Sequence, residues 1–225
     1  MRCATVVLCF ACTADPDPVT DAPGSPLDTA TPAFDTAQPV DTGSHVLPPP
    51  GPWTWANPTP FGSQLVAVAW AGSDVAWAVG PGLSVLRSED GAETWHVQSS
   101  VFEAFPDRYP AVRLEQLAAP SAEEAWFVGD RGLVGRTVDG GTTWTDRSVD
   151  TSAHLYDLHV FDPERAIVVG QGGAAFETRD GGLSWIPLTH PAGDADLRVV
   201  GFVDDATGWI GGEDTAMWRT TDGGA

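Results

Sequence analysis

Hydrophobic and polar positions recur along this chain in a fixed order. Four apolar runs, SDVAWAVG, EEAWFVG, ERAIVVG and ATGWIGG, end on Gly80, Gly129, Gly170 and Gly212. Each is followed by a tight turn, a short apolar run and a polar phrase. Those phrases are Ser88-Glu-Asp-Gly-Ala-Glu-Thr-Trp95, Thr137-Val-Asp-Gly-Gly-Thr-Thr-Trp144, Thr178-Arg-Asp-Gly-Gly-Leu-Ser-Trp185 and Thr220-Thr-Asp-Gly-Gly-Ala225, and their starts lie 49, 41 and 42 residues apart. In the first unit LVAVAW, DVAWAVG, LSVLRS and TWHVQS predict four short strands. Short apolar runs broken by Gly, Asp and Ser turns, repeating at this period, predict an all-β fold. The expected architecture is a β-propeller of four-stranded antiparallel blades over residues 53–225. The fourth unit shows strands over 197–203, 207–211 and 215–220 and lacks an outer one. The segment Trp53–Trp55 would supply it in a closed ring of four; the favoured expectation is about four blades of a larger ring.

The polar phrase is a hairpin device. Asp90, Asp139, Asp180 and Asp222 can accept N–H bonds of their own turns, and Gly141 and Gly182 can take a positive φ. Ser88, Thr137, Thr178 and Thr220 add hydroxyl bonds, and Trp95, Trp144 and Trp185 bring large apolar area to bury between blades. These residues are expected to be structural, with none of them catalytic. The phrase resembles the Asp-box, S/T-x-D-x-G-x-T/S-W, of the bacterial neuraminidase repeat (BNR) superfamily. It is complete in the second and third copies, carries Ala92 for Gly in the first and stops before Trp in the fourth. Together with Trp53-Thr-Trp-Ala-Asn-Pro-Thr-Pro-Phe-Gly-Ser-Gln-Leu65, the repeats are most similar to the photosystem II assembly and stability factor family of propellers. That resemblance implies the fold and a non-catalytic protein-binding or assembly scaffold.

The beginning of the chain is different in kind. MRCATVVLCFAC places Arg2 before an apolar stretch and holds all three cysteines, Cys3, Cys9 and Cys12. Residues 1–11 are expected to be a signal peptide. They resemble a bacterial lipoprotein signal, with Cys12 as the lipidated residue; an ordinary signal cut elsewhere is the alternative. Residues 12–52 follow as a tether: from 13 to 52 ten residues are Pro, six are Asp and none is Lys or Arg. Such a segment is extended and self-repelling. The expected address is extracytoplasmic, a membrane-anchored lipoprotein of the periplasm or cell surface, touching the membrane only through its anchor.

Charge narrows the partners. The 11 basic residues, all Arg, against 31 Asp and Glu give a net charge of −20, which argues against nucleic acid. A protein partner is expected, with a glycan-binding or sialidase-like glycoside hydrolase propeller as the alternative. On the face built by the turns after each second strand and by the blade-to-blade links, the link SSVFEAFPDRYPAVR is the most unusual segment. Phe102, Phe105, Arg108, Tyr109 and Arg113, with Arg131 on a neighbouring turn, are the candidate contact residues; aromatics capping the domain's own core are the competing reading. A sialidase would need an arginine triad and a Tyr–Glu pair. Arg87, Arg136 and Arg219 precede their boxes at equivalent positions and read as blade architecture. Glu123-Glu124 and Asp204-Asp205 fall at blade turns, and His154 and His159 lack zinc-site spacing, so neither a metal nor a cofactor is expected.

Overall fold

The computed structural model describes residues 64–107, 112–213 and 217–224. The signal, the tether, Cys12, the Trp53–Trp55 segment, Arg108 and Tyr109 lie outside the described residues. Within 64–224 the chain forms fifteen strands in four antiparallel meanders. The first blade is β1 (Ala67–Ala71), β2 (Val75–Gly80), β3 (Ser84–Ser88) and β4 (His96–Val97). The second is β5 (Leu114–Ala118), β6 (Ala125–Gly129), β7 (Val134–Thr137) and β8 (Thr145–Asp146). The third is β9 (Leu155–Val160), β10 (Ala166–Gly170), β11 (Ala175–Thr178) and β12 (Ile186–Pro187). The fourth has three strands among the described residues, β13 (Leu197–Phe202), β14 (Gly208–Gly212) and β15 (Met217–Thr220). The first strands β1, β5, β9 and β13 neighbour one another in that order. These are propeller blades.

The alternation of side chains explains why the second strand of each blade is apolar throughout. It is buried on both sides, so successive residues serve successive junctions. Trp77 and Val79 pack toward the second blade against Leu114, Leu117 and Phe127. Trp126 and Val128, at the equivalent positions of β6, pack onto Leu155, Leu158 and Val168 of the third. Ile167 and Val169 meet Leu197 and Val200 of the fourth. The core is a series of such junctions.

Each second strand ends in glycine because of crowding. A Cβ at Gly80, Gly129, Gly170 or Gly212 would stand 2.0–2.3 Å from the carbonyl oxygen of Gln64, Arg113, His154 or Asp196, each of which is followed by a leucine. The backbone is extended there, with φ of −172° at Gly129 and Gly170. The glycine is needed for the close approach and not for a left-handed turn.

Each box is a hydrogen-bonded turn. Thr137 Oγ1 accepts the Gly141 amide at 2.9 Å and donates to Asp139 Oδ1 at 2.9 Å. Asp139 in turn accepts the amide of Thr143 at 2.9 Å and its hydroxyl at 2.7 Å. Ser88–Asp90 and Thr178–Asp180 repeat the arrangement, and Thr220–Asp222 begins it. These bonds pull the carboxyls of Asp90 and Asp180 down to about 2. Each box also docks on the turn after its blade's first strand: the amides of Gly91, Gly140, Gly181 and Gly223 donate to the backbone carbonyls of Asp74, Glu123, Glu164 and Ala206 at 2.8–2.9 Å. Gly141 and Gly182 take φ of 83° and 85°. Trp144 is buried between the first and second blades, edge-on to Trp77. Trp185 lies between the second and third and donates its indole N–H to Arg147 O at 2.7 Å. Trp95 is half-buried.

Arginines stitch each blade to the box region of the next. Arg87 reaches Ala122 O at 3.3 Å, and Arg136 reaches Gly181 O at 3.3 Å. In the third blade the position before the box is Glu177, and Arg165 on the second strand's approach takes over, reaching Asp205 O and Gly223 O at 3.0 and 3.1 Å. Arg219 lies over Trp209 at 5.6 Å, as Arg136 lies over Trp126 at 4.6 Å. Arg87, Arg136 and Arg165 thus tie one blade to the next.

Candidate functional site

The long link is placed partly otherwise than the sequence reading has it. Its first half forms a short helix α1 (Ser100–Ala104) wedged at the junction of the first two blades. Ser100 Oγ donates to Gly141 O at 2.6 Å, tying α1 to the second box. Val101 and Phe105 are buried there, Phe105 against Phe127 at 5.6 Å between ring centroids. Phe105 is therefore core, as the capping alternative has it, and presents no surface to a partner. Phe102 is half-buried on the same cluster. Of the expected contact residues, Arg113 and Arg131 are the two the structure exposes on the link face.

Arg131 sits at the apex of the turn after β6 with φ of 54°. The equivalent residues in the first and third blades are Gly82 and Gly172, at φ of 68° and 62°. A side chain in that conformation costs about 1–2 kcal/mol relative to glycine, so the arginine is held against local preference. Strain of this kind tends to be retained where the side chain is used.

A feature absent from the sequence reading organises the rest of the face. Leu114, Leu155 and Leu197 each stand fifteen residues before the glycine that ends the second strand. Each opens its blade's first strand and pairs with that glycine. The next ladder partners are Gln116, Asp157 and Val199, so Glu115, Tyr156 and Arg198 are bulged out of the pairing at the same place in three successive blades. A bulge re-aims the extra side chain. Here it brings a carboxylate, a phenol and a guanidinium to the mouth of the link face.

Their surroundings are polar and mutually tied. Asp130 Oδ1 lies 2.6 Å from His154 Nδ1, and its Oδ2 accepts the Arg113 amide at 3.0 Å. Asp196 accepts the Gly172 amide at 2.8 Å, the Tyr156 hydroxyl at 3.3 Å and Arg198 Nη2 at 2.8 Å. Arg198 also reaches Glu213 at 3.4 Å and lies 4.0 Å from the Tyr156 ring centroid. Burial raises the Tyr156 hydroxyl above its ordinary value. Glu115 is half-buried; desolvation, then repulsion from Asp130, pushes its carboxyl up, while Arg113, His154 and Arg198 pull it back. His159 lies elsewhere, clustered with Phe161 and Phe202, edge-on to the first and tilted on the second, so the two histidines do not share a site. Among the described residues no three His, Cys, Asp or Glu side chains are grouped as metal ligands.

Four antiparallel meanders, each carrying a box, with a polar mouth on the opposite face, define a β-propeller. The comparisons with known proteins agree. Residues 146–225 match the family described as Photosynthesis system II assembly factor YCF48. The photosystem II assembly lipoprotein Ycf48 of Synechococcus sp. (strain CC9902) is 28% identical over 153 residues, 64% of this chain and 41% of that protein. The chloroplastic photosystem II stability/assembly factor HCF136 of Arabidopsis thaliana is 32% identical over 74 residues, covering 32% of this chain and 18% of that one. The matches thus span less than half the length of these relatives. Among solved structures, YCF48 from Cyanidioschyzon merolae shares the fold with a TM-score of 0.56 at 20% identity, over 74% of this chain and 56% of that one. YCF48 bound to D1 peptide gives 0.55 at 20% over 72% and 56%, and the Niastella koreensis GH74 enzyme 0.55 at 15% over 74% and 24%. The chain has the β-propeller fold, and over residues 146–225 it is similar to the photosystem II assembly factors.

Proposed function

We propose that this chain is a non-catalytic scaffold that binds a polypeptide on its link face and assists assembly, held outside the cytoplasm by a lipid on Cys12. The observation that carries the reading is the kinship with photosystem II assembly proteins, one of which has been solved with a D1 peptide. The site's character supports it. The mouth draws its side chains from three blades, and its donors and acceptors are largely tied to one another, an arrangement suited to recognising an extended surface. The Asp-boxes, in contrast, spend their polar atoms on their own turns. A relative named as a lipoprotein supports the anchor.

The test uses purified chain on arrays of overlapping peptides covering the exported loops of the host's membrane proteins. Defined peptides bind, and the double variant Arg113→Ala/Arg131→Ala loses them with its thermal unfolding unchanged. Blank peptide arrays together with retention or turnover on sialoside or polysaccharide arrays would replace this reading with a glycan-acting one.

A further inference from the structure

The proposal concerns the three bulge residues, and it rests on reading the link face as a polypeptide-binding surface. Glu115, Tyr156 and Arg198 occupy one repeat position, and two of the three are already engaged. Arg198 lies on the Tyr156 ring and is gripped by Asp196 and Glu213. Tyr156 donates to Asp196. Glu115 alone of the three has no hydrogen bond or ion pair among the described residues. Arg113, His154 and Arg198 act on it through space without forming an ion pair with it.

The molecule itself shows how a cation sits at this ring. At the junction of the third and fourth blades, a guanidinium is stacked on an aromatic ring and held by two carboxylates. At the second blade a half-buried carboxylate, re-aimed by the bulge, stands near Asp130 with no ion pair among the described residues. We infer that Glu115 is the receptor for a lysine or arginine side chain of the bound polypeptide, with Tyr156 and Arg198 flanking it as the adjoining contacts. The raised carboxyl supports this, because ionised Glu115 is under-solvated in the free protein and an incoming cation would relieve it. The net charge of −20 acts in the same direction by steering basic segments toward the surface.

The experiment uses the full chain and three synthetic peptides, identical but for a central Lys, Gln or Glu, set in a sequence that binds on the arrays described above. Affinity is read by fluorescence titration, and the Glu115 side-chain carboxyl is followed by carbon-13 NMR. Wild type prefers the Lys peptide over the Gln peptide by about tenfold, the effect expected of one charge-assisted bond. In Glu115→Gln that preference disappears, while the Gln peptide binds both proteins equally. The Lys peptide also lowers the titration midpoint of Glu115 in wild type, a readout that stands even where the variant does not fold. An unchanged Lys preference in Glu115→Gln, or a Glu115 midpoint that the Lys peptide leaves in place, overturns the inference while leaving the polypeptide-binding reading intact. Peptides that bind nowhere on this face sink both.

Discussion

Asp157, on the innermost strand of the third blade, accepts the amide of Val200 on the innermost strand of the fourth at 2.9 Å. The same carboxylate accepts the Leu158 amide at 2.9 Å and is only 8% exposed. A buried carboxylate thus bridges two blades, and burial pushes it up to about 6, its N–H bonds only partly offsetting that.

A pH dependence follows. The folded value lies above the unfolded one of about 3.9, so the folded state holds the proton more tightly. Asp157 therefore contributes stability at low pH that is lost as pH rises from about 4 through 6, on the order of 2–3 kcal/mol. His159 works against this: its folded value is lowered by burial, so its contribution is lost as pH falls below about 6.5. The box carboxyls of Asp90 and Asp180, held near 2, contribute above about 4 and are lost below it. Urea midpoints measured from pH 3 to 8 in wild type and Asp157→Asn isolate the first effect. The variant loses the fall in stability between about pH 4 and 6; an unchanged pH profile would contradict the assignment.

The second and third blades carry one ion pair in opposite senses. Glu124 and Arg136 meet at 2.7 Å, and the equivalent residues Arg165 and Glu177 meet at 2.7 Å with their charges exchanged. Either arginine reaches the next box, so the site accepts both orders. Glu124→Arg and Arg136→Glu alone should each cost about 3 kcal/mol or more by leaving buried charge unpaired. The double exchange should recover most of that loss. Chemical denaturation of the cycle checks it, and additive losses would show that the two blades are not equivalent.

Three non-glycine residues, Leu83, Ala92 and Arg131, hold left-handed positions that sister blades give to glycine. Ala92 has φ of 68° where Gly141 and Gly182 stand, and Arg131 has φ of 54° between Gly82 and Gly172 in the alignment. Ala92→Gly and Arg131→Gly should each raise stability by about 0.5–1 kcal/mol, strain relief being partly offset by unfolded-state entropy. The two should part in function: peptide affinity falls only for Arg131→Gly. Thermal unfolding and peptide titration of both variants decide it.

Much of this was legible in the chain itself. The period of the apolar runs and the Thr–Asp–Gly–Trp phrases specify blades and their number among the described residues, because each phrase forms a self-contained turn. The link beginning at Ser99 was harder. Aromatic residues in a polar stretch look alike whether they face a partner or seal a seam, and Phe105 proves to seal the seam on Phe127. The bulged trio was missed for a different reason. Glu115, Tyr156 and Arg198 share no chemistry, and only the constant leucine before each of them marks their common position.

The central claim is that the boxes hold the blades while the link face binds, and one paired measurement tests it most directly. Peptide affinity and thermal midpoint are determined on the same samples of Thr137→Val and Arg113→Ala/Arg131→Ala. Thr137 is 1% exposed, and Thr137→Val leaves its box without a hydroxyl partner at a cost of about 1–3 kcal/mol. The midpoint should fall by several degrees while the folded protein binds peptide as wild type does. The double arginine variant should lose binding at an unchanged midpoint. Loss of binding in Thr137→Val without loss of stability, or full binding in the arginine variant, would contradict the account.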